Sequence, residues 1–273
     1  MSDQANIDAL MPAEMAEKAE AVGVRKASMG TLQTLSLGVL AGAFIAMGAV
    51  FSLTVMADAQ LSFGWQRLLG GLVFSVGLIM VVIGGAELFT GNTLIVMAVA
   101  NRKLGVGKLL RNWGLVYVGN FAGAAATAVL VYLAGHWSMG GNAVGEFAVR
   151  VANAKCEAGI IELFTRGVLG NAMVCIAVWL AFSARSTTDR MLVVVPPIAM
   201  FVAAGFEHCV ANMFYLPYAM LVRDAAGIGS ASALDIAGIT KNLAAVTAGN
   251  IIGGGVMVGL VYWFIYLRGR KQT

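Results

Sequence analysis

GAELFTGN, residues 85 to 92, and GFEHCVAN, residues 205 to 212, lie over one another without a gap at an offset of 120, sharing Gly, Glu and Asn in the same places. Each interrupts an apolar stretch with one glutamate: charge-free windows run 68–86 and 88–101 around the first, and 191–206 and 209–222 around the second. The windows after Glu87 and Glu207 hold about 14 residues, which as a helix cross only roughly two-thirds of a bilayer's hydrocarbon. Each pair of windows therefore reads as one broken crossing. Backbone released from a helix at that depth is tolerated only inside protein or beside a watery cavity, so the two breaks mark a pathway.

Two further matches flank them in the same order. GVL at 38–40 recurs at 167–169, and NWGLVYVGNFAG at 112–123 lies over NLAAVTAGNIIG at 242–253. The remaining charge-free windows, 27–57, 112–145, 167–184 and 242–267, are long enough to cross unbroken. The reading is an all-α membrane protein of six transmembrane helices built as two three-helix repeats, with the second and fifth helices broken. Three is odd, so the second repeat enters from the opposite side and the repeats are inverted, with the solute path at their interface. The expected division is a cytoplasmic amphipathic segment at 1–27, a channel domain at 28–268 with repeats at about 28–136 and 157–268, and a cytoplasmic tail at 269–273. The segment at 1–27 either lies along the membrane face or acts as a gate or docking element.

Composition agrees. The chain is 59% hydrophobic and 12% charged, with a mean hydropathy of +0.83, more apolar surface than a soluble domain of this size can hide. The first apolar stretch is too long for the core of a cleaved signal and lacks a small-residue cleavage site. Twelve of the 18 Lys and Arg fall in the amino end, the loops after spans two and four, and the tail. Both termini are thus expected in the cytoplasm, with the protein in the cytoplasmic membrane. Dispersed basic residues give no nucleic-acid patch. Cys156, Cys175 and Cys209 show no metal or disulfide spacing and read as buried small residues.

His208 is the one histidine inside a span and sits at the second break. A dry site opposes its charging whereas a passing anion favours it, so the ring is a candidate to exchange a proton with that anion. Thr90 offers a hydroxyl after the first break. Glu87 and Glu207, being symmetric, read as structural acceptors for backbone N–H groups freed at the breaks. Asn171, Asn120 and Asn250 either bridge loose backbone or line the path. Lys155 either draws anions toward an outer entrance or is simply solvated. Phe74, Leu78, Phe201 and Leu88 are candidates for an apolar constriction that strips water from ions. The glycine pairs 38/42, 119/123 and 249/253 have the spacing of close helix packing.

An intramembrane enzyme would need a second deep catalytic group, and the chain offers one span histidine and no ligand cluster. A water or glycerol pore would repeat an NPA-type motif, which is absent.

The motifs GAELFTGNT, LGNAMVCIAVW, GFEHCVANMF, TAGNIIGGG and VYWFIYLRG, together with the six-span spacing from about residue 10 to 269, resemble the formate/nitrite transporter family. The resemblance implies an aquaporin-like fold and a homopentamer with one pore per protomer for small monovalent anions such as formate, nitrite or hydrosulfide, without covalent chemistry, cofactor or metal. It places Thr90 on the family's mobile loop facing a central histidine at His208. It places Lys155 near a vestibule, Asn171 and Asn250 among pore-lining amides, and Phe74, Leu78 and Phe201 at the constrictions. LMPAEMAEKAEAVGVRKA at 10–27 and the tail from IIGGG onward look most like the formate channels. ELFTGNT reads closer to the nitrite channels, and Arg166 is a charge that some formate channels lack.

Overall fold

The computed structural model describes residues 9–57, 60–228 and 230–269, and every regular element among them is helical. Five helices are long and apolar enough to cross a membrane: Thr31–Met56 (α2), Phe63–Gly84 (α3), Val106–Leu133 (α6), Ile160–Ser183 (α8) and the continuous run Ile236–Tyr266. That run is α-helical as α11 (Ile236–Ile251), opens into π turns over Ile252–Leu260, and closes as α12 (Val261–Tyr266). The sequence pattern predicts six crossings. The stretch read as the fifth of these forms two helices separated at the second break, α9 (Thr187–Ala203), which is short of a bilayer on its own, and α10 (Cys209–Ala226), which Asn212, Arg223 and Asp224 make more polar. The tail beyond residue 269 and residues 1–8 of the amino segment lie outside the described residues.

After α3 come three short pieces. These are α4 (Phe89–Asn92), a 3-10 turn (Thr93–Ile95) and α5 (Val96–Ala100). Two further helices precede the long ones: α1 (Pro12–Ala27) before α2, and α7 (Ala143–Glu157) before α8. The amphipathic helix α1 packs one face against the rest of the protein. Met15, Ala16, Ala19, Gly23 and Ala27 form its buried face, and Glu20 meets Lys103 at 2.6 Å.

The glycine pairs set how closely the long helices cross. A Cβ on Gly42 would overlap the Asn120 carbonyl oxygen, and one on Gly123 would overlap that of Val39, where α2 meets α6. At the corresponding crossing of α8 with the run Ile236–Tyr266, Gly249 and Gly253 leave the same room for the carbonyls of Phe164 and Val168. With backbones this close, dispersion across a broad contact replaces the hydrophobic drive that lipid cannot supply.

Candidate functional site

Both breaks begin with a glycine in the left-handed region, Gly85 at φ 74° and Gly205 at φ 76°, a conformation that costs a side-chain-bearing residue. Extended backbone follows, and it is paired outward in both cases. The Glu87 N–H donates to Leu37 O at 3.1 Å, and the Glu207 N–H donates to Arg166 O at 3.2 Å. Arg67 on α3 donates from Nε to Ala203 O at 3.1 Å and from its guanidinium to Val202 O, capping carbonyls that α9 frees at the second break.

The breaks are held by the same set of side chains. Asn120 donates from Nδ2 to Gly38 O at 2.8 Å and Glu87 O at 2.9 Å, and its Oδ1 accepts the Phe89 N–H at 2.9 Å. Asn250 does the same for Gly167 O at 2.7 Å, Glu207 O at 3.0 Å and the Cys209 N–H at 2.9 Å. The glutamates, expected to accept the freed N–H groups, do something else. A carboxylate has no donor and cannot bridge a carbonyl and an N–H two residues on, as the amide does.

Each carboxylate instead joins a buried chain. Glu87 accepts from Asn92 Nδ2 at 2.7 Å and meets Lys26 Nζ at 2.9 Å; Glu207 accepts from Asn212 Nδ2 at 2.6 Å and meets Lys155 Nζ at 2.8 Å. Asn92 and Asn212 also donate to Asn112 Oδ1 and Asn242 Oδ1, and those amides donate to the carbonyls of Lys26 and Lys155. Lys155 is therefore neither a free cation nor a plain solvated one. It is an ion-pair partner that also lies 5.6 Å over the Tyr215 ring. Lys26, Asn112 and Asn242 belong to this network; sequence reasoning passes over Lys26 and takes Asn112 and Asn242 only as matched repeat positions. Carrying the offset of 129 found at GVL back along the chain pairs Lys26 with Lys155 and Gly30 with Gly159, and finds the lysine.

Where the breaks meet, the His208 ring reaches across. Its Nδ1 accepts the Ala211 N–H at 3.1 Å, capping α10, so in the neutral ring the proton sits on Nε2 and points to Thr90 Oγ1 at 2.9 Å. His208 and Thr90 are both buried. Two cavities approach this pair. One, about 530 Å³, opens on the α1 side and is lined by Leu78, Glu87, Leu88 and Leu94. The other, about 230 Å³, opens on the α7 side and is lined by Phe74, Lys155, Phe201, Glu207 and His208. Phe74 and Phe201 stand 6.1 Å apart between ring centroids, and Phe201 meets the His208 ring edge-on at 6.0 Å. All four proposed constriction residues are buried, Leu78 and Leu88 in the wall of the first cavity and Phe74 and Phe201 in that of the second.

Asn171 and Asn250 line neither cavity. Asn171 donates to Thr90 O and Thr93 Oγ1, each at 3.2 Å, and to Asn250 O at 2.6 Å. Both amides are fully buried and spent on backbone and loop. Among the described residues no group of His, Cys, Asp or Glu is arranged to hold a metal ion.

A bundle of membrane-length helices, with two cavities entering it from the α1 and α7 sides, defines a membrane transport protein. The chain belongs to the formate/nitrite transporter family, whose model matches residues 13–264. It is 44% identical over 273 residues to the formate channel FocA of Escherichia coli (strain K12), covering 96% of both chains. It is 38% identical over 264 residues to FocA of Haemophilus influenzae, covering 92% of this chain and 93% of the relative. A solved structure described as a pentameric formate channel with formate bound matches with a TM-score of 0.80 at 39% identity, covering 87% of this chain and 98% of that one. The chain is a multi-pass membrane transporter and not an enzyme.

Proposed function

We propose that this protein conducts formate through a pore in each protomer, the anion passing between Thr90 and His208. The observation that carries this reading is the pair itself. It lies where the two breaks meet, with His208 lining the α7-side cavity and Leu88 and Gly91, on either side of Thr90, lining the α1-side one, and it sets an Nε2–H beside a hydroxyl. A monovalent oxyanion entering between them gains two hydrogen bonds in a dry site, where each is stronger than in water. Phe74, Phe201, Leu78 and Leu88 strip water on either side and reject ions with costlier hydration.

The neutral ring serves as donor. A second ring proton would have to sit on Nδ1 and displace the Ala211 N–H, uncapping α10, so anion conduction is favoured over proton exchange at the ring. Glu87 and Glu207 with their lysines, and Asn120, Asn171 and Asn250, hold the breaks open. Lys155 borders the path at one remove. A nitrite reading is favoured by one feature, Glu87 in ELFTGNT.

The wider architecture in this proposal is six crossings in two inverted repeats, aquaporin-like, with α1 and α7 as equivalent opening helices. The channel domain spans 28–268 with short cytoplasmic ends. Matched lysine, glutamate and asparagine contacts at both breaks support it. Five copies of the chain form a pentamer in this reading, which the solved relative supports, itself a pentameric formate channel. The lysine and arginine distribution supports a cytoplasmic-membrane location with both termini inside.

Formate flux into proteoliposomes tests the reading. The natural protein is expected to exceed protein-free vesicles by orders of magnitude, and His208→Phe, which removes the donor and fills the space, is expected to fall close to the vesicle background. A natural protein that carries nitrite but not formate would transfer the proposal to nitrite.

A further inference from the structure

The α1-side cavity carries more positive charge than a monovalent anion needs. Lys18, Arg25, Lys26 and Arg190 line it, against one lining carboxylate among the described residues, Glu87. That carboxylate is already engaged by Lys26 and Asn92. Lys26 is accordingly neutralised, and the charges of Lys18, Arg25 and Arg190 meet no further carboxylate in the lining.

Two of these are crowded. The Lys18 ammonium donates to Phe182 O at 2.9 Å at the end of α8. Burial, then the charges of Arg190 and Arg185, hold its proton affinity below the usual lysine range. Arg190, in the first turns of α9, has a buried Nε with no hydrogen-bond partner among the described residues. A buried guanidinium N–H without an acceptor is costly, and nearby positive charge adds to the cost. Both costs are relieved by the same thing, an oxyanion in the cavity.

We propose that the α1-side cavity is a binding site for a small polyvalent phosphoryl anion, held by Arg190 and Lys18 with Arg25 at its rim, and that its occupant plugs the pore. Arginine's fork suits two oxygens of one phosphoryl group, and lysine supplies a point charge beside it. A cavity of about 530 Å³ is of the size that takes a nucleotide-like molecule. The occupant carries too much charge to shed its water at Leu78 and Leu88, so it stays below the constriction. In the orientation proposed above this mouth faces the cytoplasm, where phosphorylated metabolites are abundant. The site would then throttle anion flow when they accumulate. The plugging step rests on the formate-pore reading; the binding step does not.

Pyrophosphate is the probe, with nitrate at matched ionic strength as the monovalent control. Calorimetric titration of the detergent-solubilised full chain is expected to show saturable binding of pyrophosphate and none of nitrate. Arg190→Gln should weaken it about tenfold, the scale of one lost charge-assisted hydrogen bond, and Lys18→Gln should weaken it severalfold. The two residues lie on different helices, so if one variant fails to fold the other decides. In proteoliposomes, pyrophosphate on the α1 side should block formate flux in the natural protein at concentrations that spare Arg190→Gln. Binding that depends on both residues in a protein that carries no formate would uphold the site while removing the formate reading. Absent binding, binding in both variants equal to that of the natural protein, or a preference for succinate over pyrophosphate would overturn the proposal.

Discussion

The two breaks share a lock and differ in what the lock holds. In each, a left-handed glycine ends a helix, an asparagine from a later helix bridges the extended backbone, and a glutamate joins a lysine and a second asparagine. Beyond the second break the chain enters α10, 18 regular residues capped by His208 itself. Beyond the first it enters α4, a 3-10 turn and α5, pieces of 4, 3 and 5 residues. Short helical pieces have few internal hydrogen bonds and depend on their surroundings. One partner of the central pair is thus mounted on a long helix, and the other, Thr90, on short pieces that in the proposed mechanism shift when an anion enters. The lysines differ too. Lys26 reaches both Glu87 and Asn92 Oδ1, whereas Lys155 reaches Glu207 and leaves Asn212 Oδ1 without a partner among the described residues.

The largest test separates the two ion pairs. Lys155→Met leaves Glu207 buried and unpaired, and removal of one partner from a buried pair costs about 3–5 kcal/mol. Lys26 is the more exposed lysine, 26% against 17%, and its glutamate opens on the larger cavity, so Lys26→Met should cost about half as much. Thermal unfolding in detergent reads the difference, and equal losses would erase the contrast. Next comes the hydroxyl: Thr90→Val should lower formate flux about tenfold, the scale of one hydrogen bond to a charged partner, and Thr90→Ser should restore most of it. A smaller difference is expected in hydrogen exchange. Amides at 93–100 should exchange faster than those at 213–222, and the reverse order would place the mobile element on the wrong side of the pore.

The smallest effect lies outside the central site, at His136 between α6 and α7. Thr54 donates its hydroxyl to Val50 O at 2.9 Å, so it accepts from His136 Nε2 at 2.8 Å, and His136 Nδ1 accepts from the buried Tyr218 hydroxyl at 3.1 Å. That network suits the neutral ring, and burial lowers the proton affinity of His136. With the folded value below the unfolded one, the contribution is complete above the ordinary histidine value of about 6.5. It is lost as pH falls through that value, and the loss stops below the folded value. The natural protein should lose unfolding free energy there at no more than about 1.4 kcal/mol per pH unit, and His136→Asn should flatten that slope.

The breaks are legible because their pattern is local: GxExxxxN occurs twice, and each glutamate sets a charge inside an otherwise apolar stretch. The meeting of Thr90 with His208 follows from the family resemblance rather than from spacing, since no pattern along the chain links positions 118 apart. The lysines are harder. Lys26 lies outside every charge-free window, so a search confined to apolar stretches passes over the residue that neutralises Glu87. Lys155 stands out as a charge, but nothing local points to its partner 52 residues on. The π turns at Ile252–Leu260 are not legible either. They arise where Gly254 faces Thr93, Asn171 and Cys175, whose side chains occupy the space a Cβ would need, and that crowding comes from other segments of the chain.

The mechanism turns on His208 serving as a neutral donor fixed by its bond to Ala211. Formate current across a planar bilayer between pH 5 and 8, compared between the natural protein and His208→Asn, probes that role without intermediaries. An amide N–H can replace the imidazole N–H, so the variant should pass a reduced current, and the ratio of the two currents should stay constant with pH. A natural current that climbs with acidity while the variant's stays flat would show a ring that takes up protons, and would contradict the neutral donor.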